Sequence, residues 1–414
     1  MTLRISRWAL LLLAVTVLSI FLPALYNMLF DRKMGKTQLF FSPVIQKFVY
    51  REMVGEGHRF TTRDEDGNEY NRMQFEMLIP FIYYKNMDLW GKLPLVIGDR
   101  TFTKKDMKKN RQVFQIKPRD IQDRTPRVPV FPLLESKPGV TRLRFPEDVF
   151  RITDKMEFIN VDTNRVDDAL TRKFTDALKK AGFQFPAQSV SGKVSILKPF
   201  DEGFFLVDAT QHVFHIKRVK GEPAVVKTPI PTDLGIRHIK VSENRKKEIH
   251  GMLLTETGDL YLMTYDDYGL IKLPLEHYDP ETMDFKLLIN PLYRTAVYSD
   301  HKNIYAVAMD ENYRVVGRYN REMFLGKEQA ADRIFKTVFP FHMVISDKTS
   351  GYLQFRPVWN GARAWIGMVT CLILGAVIMF VRRISFKRFW PDLGLVFLTG
   401  PFGLISVNLI EPEG

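Results

Sequence analysis

"FFLVDATQHVFHI" occupies positions 204–216: two runs of β-forming residues joined by a polar turn. Strand-like runs on both sides of such a turn read as a β-hairpin. The plan recurs in "EFINVDTNRV" (157–166), "MLLTETGDLYLM" (252–263), "YAVAMDENYRVVG" (305–317) and "MVISDKTSGYLQF" (343–355). The turns centre near Thr163, Thr210, Thr257, Glu311 and Thr349, at spacings of 47, 47, 54 and 38 residues. Hairpins repeated at such intervals predict a mainly β fold with some α, in propeller-like blades, about five of them. "YGLIKLPL" (268–275) and "DFKLLINPL" (284–292) supply two further strands, which suits four strands per blade. One helix decorates the first unit. Val166, Leu170, Phe174, Ala177, Leu178 and Ala181 share a face at helical spacing, and Gly182 ends it.

Upstream, residues 31–150 read as a small α+β segment. A hairpin turns at Asp66-Gly67. A buried helix over 75–90 breaks at Pro80. Thr103 and Asp106 form a capping box opening a lysine-rich helix over 103–114. A Pro-rich connector covers 117–132.

Three stretches read as transmembrane helices: 8–30, 364–381 and 393–410, each free of charge. The third carries Gly394, Gly400, Pro401 and Gly403, so a re-entrant or interfacial segment is its alternative. The first is too long for a signal-peptide core and lacks a small-residue cleavage site, so it reads as an anchor. Basic residues beside short membrane loops stay cytoplasmic. Arg4 and Arg7 precede the first span, and Arg382, Arg383, Lys387 and Arg388 lie in the turn 382–390 between the second and third. The expected topology places the N-terminus in the cytoplasm, the main domain in the periplasm and the acidic tail "EPEG" outside, in a bacterial inner membrane. The segments are then an anchor (1–30), the α+β segment (31–150), the β-rich domain (151–360) and a helical hairpin (361–414).

The formal charge is +13, of which about +9 lies in 31–360, where 53 bases face 44 acids. Outside a membrane this favours nearness to anionic lipid over nucleic acid, and no nucleic-acid partner is expected. The single Cys371 lies in the second apolar run, which excludes a disulfide framework.

Motifs that carry chemistry are few. His212 and His215 in "HVFH" are three apart, so one strand would turn them to opposite faces. "DEDGN" (64–68) lacks the spacing of a calcium loop, and "SGKVS" (191–195) lacks the first Gly and the hydroxyl of a phosphate loop. No metal, cofactor or catalytic residue is assigned. Tyr265, Asp266, Asp267, Tyr268, Asp310, Asn312 and Tyr313 gather at loops and are candidate ligand-binding residues.

"KPFDEGFFLVDATQHVFHIKRVKGEP" (198–223), "KFTDALKKAGFQFPA" (173–187) and "MLIPFIYYKNMDLWGKLP" (77–94) resemble the domain of unknown function 4857 family of Bacteroidota membrane proteins. The resemblance implies an anchored protein encoded beside ABC-transporter permease and ATPase subunits, and supplies no catalytic residues. The expected function is a non-enzymatic accessory component of an ABC-type transport complex, with the lipid bilayer and those subunits as partners. The alternatives are a membrane-anchored ligand-binding or sensor protein, and an extracytoplasmic hydrolase.

Overall fold

A computed structural model describes residues 2–30, 37–53, 60–121, 128–323, 330–346, 353–383 and 386–410. The chain divides into a β-rich unit, Thr37–Glu52 with Phe60–Met323, and a helical unit built from both ends of the chain.

Among the described residues the β-rich unit holds five larger antiparallel sheets and the two-stranded ribbon Leu95–Ile97 with Arg100–Phe102. Sheet I holds Gln38–Phe41, Phe48–Met53 and Phe60–Asp64. Sheet II holds Asp284–Ile289, Arg294–Ser299, Asn303–Met309 and Val315–Glu322, extended by Gln112–Ile116 on the outer side of Asp284–Ile289. Sheet III is Ile236–Val241, Ile249–Thr255, Leu260–Thr264 and Leu270–Lys272. Sheet IV is Ser189–Gly192, Phe204–Val207, Val213–Val219 and Glu222–Lys227. Sheet V is Asp148–Ile152, Met156–Asn160 and Arg165–Val166.

The sheets pack face to face in a row. Leu39, Phe41 and Phe48 of sheet I meet Ile304, Ala306 and Ala308 of sheet II. The other face of sheet II, with Phe285, Leu287 and Val307, covers Met252, Leu254 and Leu262 of sheet III. Leu253 and Met263 point the opposite way, onto Phe205, Val207 and Val213 of sheet IV. Phe204, Leu206 and Phe214 then cover Phe150 and Phe158 of sheet V and the helix Asp168–Lys180. Successive strand residues face opposite sides, so a sheet buried on both faces needs unbroken apolar runs. That is why "FFLV" and "MLL" do not alternate with polar residues.

Five hairpins are present as read, but they are not five blades of a closed ring. The hairpin Phe341–Ser346 with Leu353–Trp359 belongs to the helical unit, and its turn at Thr349 lies outside the described residues. The fifth sheet comes instead from 38–64. Among the described residues no hydrophobic cluster joins sheet V back to sheet I, so the row stays open. The lysine-rich helix is shorter than expected: Lys104–Asn110, capped by Thr103 and Asp106 as predicted, gives way to the strand Gln112–Ile116. Burial of Phe114 and Ile116 against sheet III outweighs the helical start.

In the helical unit, Ile5–Phe30 and Ala364–Val381 are long and apolar enough to cross a bilayer, and only 22% and 17% of these windows is buried. The third stretch is not one continuous helix. It divides into Phe386–Thr399 and Pro401–Leu409, because Gly400 takes a positive φ of 59° and Pro401 opens a new helix. Arg7 donates to the Asp392 carboxylate at 3.0 and 2.8 Å and to the Ile410 carbonyl at 3.3 and 3.2 Å. The start of the first short helix and the end of the second therefore sit at the same end of helix Thr2–Phe30. The pair is an antiparallel hairpin with Gly400 at its tip against Pro340. Three membrane-spanning helices are therefore not supported, and the acidic tail 411–414 lies outside the described residues. Arg382 and Arg383 follow Ala364–Val381 and are exposed. The side chains of Arg4, Lys387 and Arg388 lie outside the described residues.

Candidate functional site

Polar groups buried between sheets III and IV form the densest cluster of titratable side chains described. It starts at Glu202, one residue before Phe204–Val207 bar a glycine. Gly203 has φ 74°, and a Cβ there would overlap the Ile216 carbonyl oxygen of the neighbouring strand. Only glycine lets the backbone pass so close. That passage puts the Glu202 carbonyl 2.6 Å from His215 Nε2. His215 stacks on Phe205, its cross-strand partner, with ring centroids 4.1 Å apart.

From sheet III comes His250. The pairing shifts register between Ile249 and Gly251, and this bulge turns the His250 ring into the sheet interface. Tyr265 stacks on one side of that ring at 3.7 Å and Tyr268 at 4.9 Å. Asp267 and Tyr268 both take positive φ (48° and 55°), a two-residue hairpin turn that returns the Tyr268 ring to the cluster. Tyr268 Oη lies 3.0 Å from His215 Nδ1.

All of this surrounds the Glu202 carboxylate. Lys217 Nζ donates to Oε1 and Tyr265 Oη to Oε2. His250 Nδ1 lies 3.3 Å and His215 Nε2 3.7 Å from Oε1. Burial opposes the charge on Glu202, but His250, Lys217 and Tyr265 outweigh it and hold its carboxyl at about 2. Burial, with the nearby Lys217 charge, lowers His215 to about 3, so its ring is neutral. A neutral ring with Nε2 donating to the Glu202 carbonyl accepts at Nδ1 from Tyr268. Burial raises Tyr265, and the Glu202 charge adds to it. Burial likewise pushes Tyr268 up to about 12.

A second buried ionic group adjoins it. Lys198 Nζ donates to Asp201 at 2.5 Å, to Glu243 at 2.6 Å and to the Lys193 carbonyl at 2.7 Å. The Glu243 oxygen that Lys198 touches also accepts the Glu202 N–H at 2.9 Å. Its other oxygen, Oε2, is buried without a hydrogen-bond partner. Burial raises both Asp201 and Glu243. Glu243 also lines a cleft of about 1300 Å³ between the edge strands Gln112–Ile116, Ser189–Gly192 and Ile236–Val241. Arg111, Lys117, Arg119, Lys193, Arg237 and Lys240 line it against Asp120, Glu243 and Glu256, so it is basic on balance.

The candidates read from sequence separate here. Tyr265 and Tyr268 enter the buried cluster, whereas Asp266 and Asp267 are exposed turn residues. Asp310 accepts the backbone N–H groups of Asn312 and Arg314 at 2.8 and 2.9 Å, closing its own turn, and Asn312 is exposed. Tyr313 packs on the core between sheets II and III beneath the Arg294 guanidinium. No hydrogen bond or ring contact joins 265–268 to 310–313 among the described residues. Sequence reading missed Glu202, His215 and His250 as a group. They come from two sheets at unrelated spacings, and the one local sign is His215 inside the buried run Val213–Ile216 of its strand.

No curated protein matches the chain. The family model described as Domain of unknown function (DUF4857) matches residues 38–309, which takes in the buried cluster and all three strands bordering the cleft. More than half of the 414 residues lie within that match, and the chain belongs to the DUF4857 family.

Proposed function

We propose that this is an integral inner-membrane protein and a non-enzymatic accessory component of an ABC-type transport complex, holding its β-rich unit in the periplasm. The observation that carries the reading is the outer surface of the helical unit. Leu10, Leu13, Phe21 and Leu25 of the first helix and Ile366, Ile373, Val377 and Phe380 of Ala364–Val381 stay exposed, while Asp392 is buried on Arg7. Apolar side chains outside and an ion pair inside suit lipid or other helices as the surroundings. Two long apolar helices and a short helical hairpin are few for a conducting pore, which favours a partner that conducts. With the basic turn after Val381 in the cytoplasm, Arg7 and Ile410 lie on that side. Affinity capture of a tagged copy from gently solubilised membranes is expected to recover permease and ATPase subunits, and a lone monomer would count against it.

The basic cleft favours a second reading, a membrane-anchored protein that binds an anionic ligand. Six cationic side chains converge on a polar space large enough for a small molecule. Titration calorimetry with pyrophosphate is expected to give saturable binding that Arg119→Ala and Lys193→Ala weaken together. Heat from dilution alone would remove this reading.

A further inference from the structure

We infer that Glu202, His215 and His250 are the ligands of one divalent d-block ion, of the zinc class, held between sheets III and IV. One ligand atom from each lies within 4.8 Å of the others, and all three residues are buried. Two imidazoles and one carboxylate make a donor set suited to such ions and poor for calcium or magnesium, which take oxygen ligands.

The spacing fits. Bonds of about 2.0–2.1 Å at tetrahedral angles put neighbouring ligand atoms about 3.3 Å apart. His250 Nδ1 and His215 Nε2 lie 3.3 and 3.7 Å from Glu202 Oε1. His250 Nδ1 is buried 3.3 Å from Glu202 Oε1 without a well-formed hydrogen bond, and the neutral tautomer with its proton on Nε2 would turn a lone pair into the cluster. Charge agrees as well. Among the described residues the lysines paired with Asp201, Glu202 and Glu243 are Lys198 and Lys217, two cations for three carboxyl groups.

Lys217 is the competing cation, and it can leave. Its side chain is 28% exposed, the only wet member of its pair with Glu202. When the ion binds, the ammonium swings to solvent and opens the fourth position to water. To ligate, His215 Nε2 gives up its hydrogen bond to the Glu202 carbonyl; the proton then sits on Nδ1 and is donated to Tyr268 Oη, whose own hydrogen turns away, which makes the outer hydrogen bond that orients a ligating histidine. Both tyrosine rings already fix the His250 plane.

The test uses the full chain in mild detergent, stripped with a chelator and titrated with Co²⁺ alone. Expected are one ion per chain, visible ligand-field absorption from imidazole ligation, displacement by Zn²⁺ and a higher melting temperature. His250→Ala and Glu202→Gln should abolish the absorption, while His212→Ala, half-buried in a turn outside the cluster, keeps it. Lys217→Ala should bind about tenfold or more tightly, since one nearby like charge is worth one to three logarithmic units. This gain separates ligation from misfolding. Absence of saturable uptake by the parent chain, or unchanged affinity in Lys217→Ala, overturns the proposal.

Discussion

Arg7 and Asp392, 385 positions apart, meet through two parallel hydrogen bonds of 3.0 and 2.8 Å, and the Asp392 side chain is 1% exposed. A bidentate guanidinium–carboxylate pair fixes orientation as well as distance. Removing one partner from a buried pair leaves the other charge uncompensated, at about 3–5 kcal/mol. Asp392→Leu should therefore lower the melting temperature of the solubilised chain sharply, and Arg7→Leu/Asp392→Leu should recover most of the loss. Equal melting temperatures for the single and double variants would show that the pair does not act as a unit.

Sidedness follows from the same pair. In a Cys371→Ser background, single cysteines at Ile410 and Arg383 are expected to react with an impermeant thiol reagent from one face of the membrane, and a cysteine at Thr257 from the other. Labelling of Ile410 together with Thr257 would restore a full third span.

Gly400 sets the tip of that hairpin. At φ 59° a side chain costs about 1–2 kcal/mol, and its Cβ would press on Pro340 at 3.1 Å. Gly400→Val should cost more than that strain alone, read as faster proteolysis near the tip. Gly394→Ala, where a Cβ meets nothing within 4 Å, should be close to neutral.

Acid should loosen the junction of sheets III and IV. His215 falls from 6.5 to about 3 on folding, so the unfolded chain takes its proton first. Its contribution is whole above about 6.5 and is lost as pH drops toward 3. Glu202 falls from 4.5 to about 2, so its share, of order 3 kcal/mol, is present above 4.5 and lost below it. Asp201 and Glu243 are raised, so acid favours the fold at those two sites and offsets part of the loss. Denaturant midpoints measured from pH 7 to 4 are expected to decline, and His215→Asn should flatten the curve between 6.5 and 5. A parallel decline in that variant would mean that another group governs the slope.

Gly203→Ala is expected to be among the most damaging single changes in the β-rich unit, because both its φ and the Ile216 carbonyl exclude a methyl group. A loss of several kcal/mol, seen by denaturant unfolding, fits that double conflict. A variant as stable as the parent would mean that the chain can move off the Ile216 strand.

The hairpins were legible because their turns carry their own chemistry. Asp208 accepts the N–H groups of Thr210 and His212 at 2.9 Å, and Asp310 does the same for its turn. Thr103 and Asp106 announced their helix for the same local reason. What escaped the sequence is long-range. Nothing near Gln112 shows that its strand will pair with Asp284–Ile289. An uncharged stretch such as 393–410 has the composition of a span whether it crosses or folds back; Gly400 and Pro401 marked the break, and Arg7 determined the outcome. His215 and His250 lie on strands of different sheets, so only packing could bring them together.

The strand Gln112–Ile116 has a consequence for how the molecule is made. It leaves the ribosome some 170 residues before Asp284–Ile289, the one strand that pairs with it among the described residues. Until that partner arrives the strand has no ladder to join, and pairings so distant in sequence form slowly. Sheets III, IV and V are each contiguous in the chain and can assemble in the interval. The late return of the orphan strand then acts as a clasp, locking sheet II last and making completion of the β-rich unit depend on nearly its whole length.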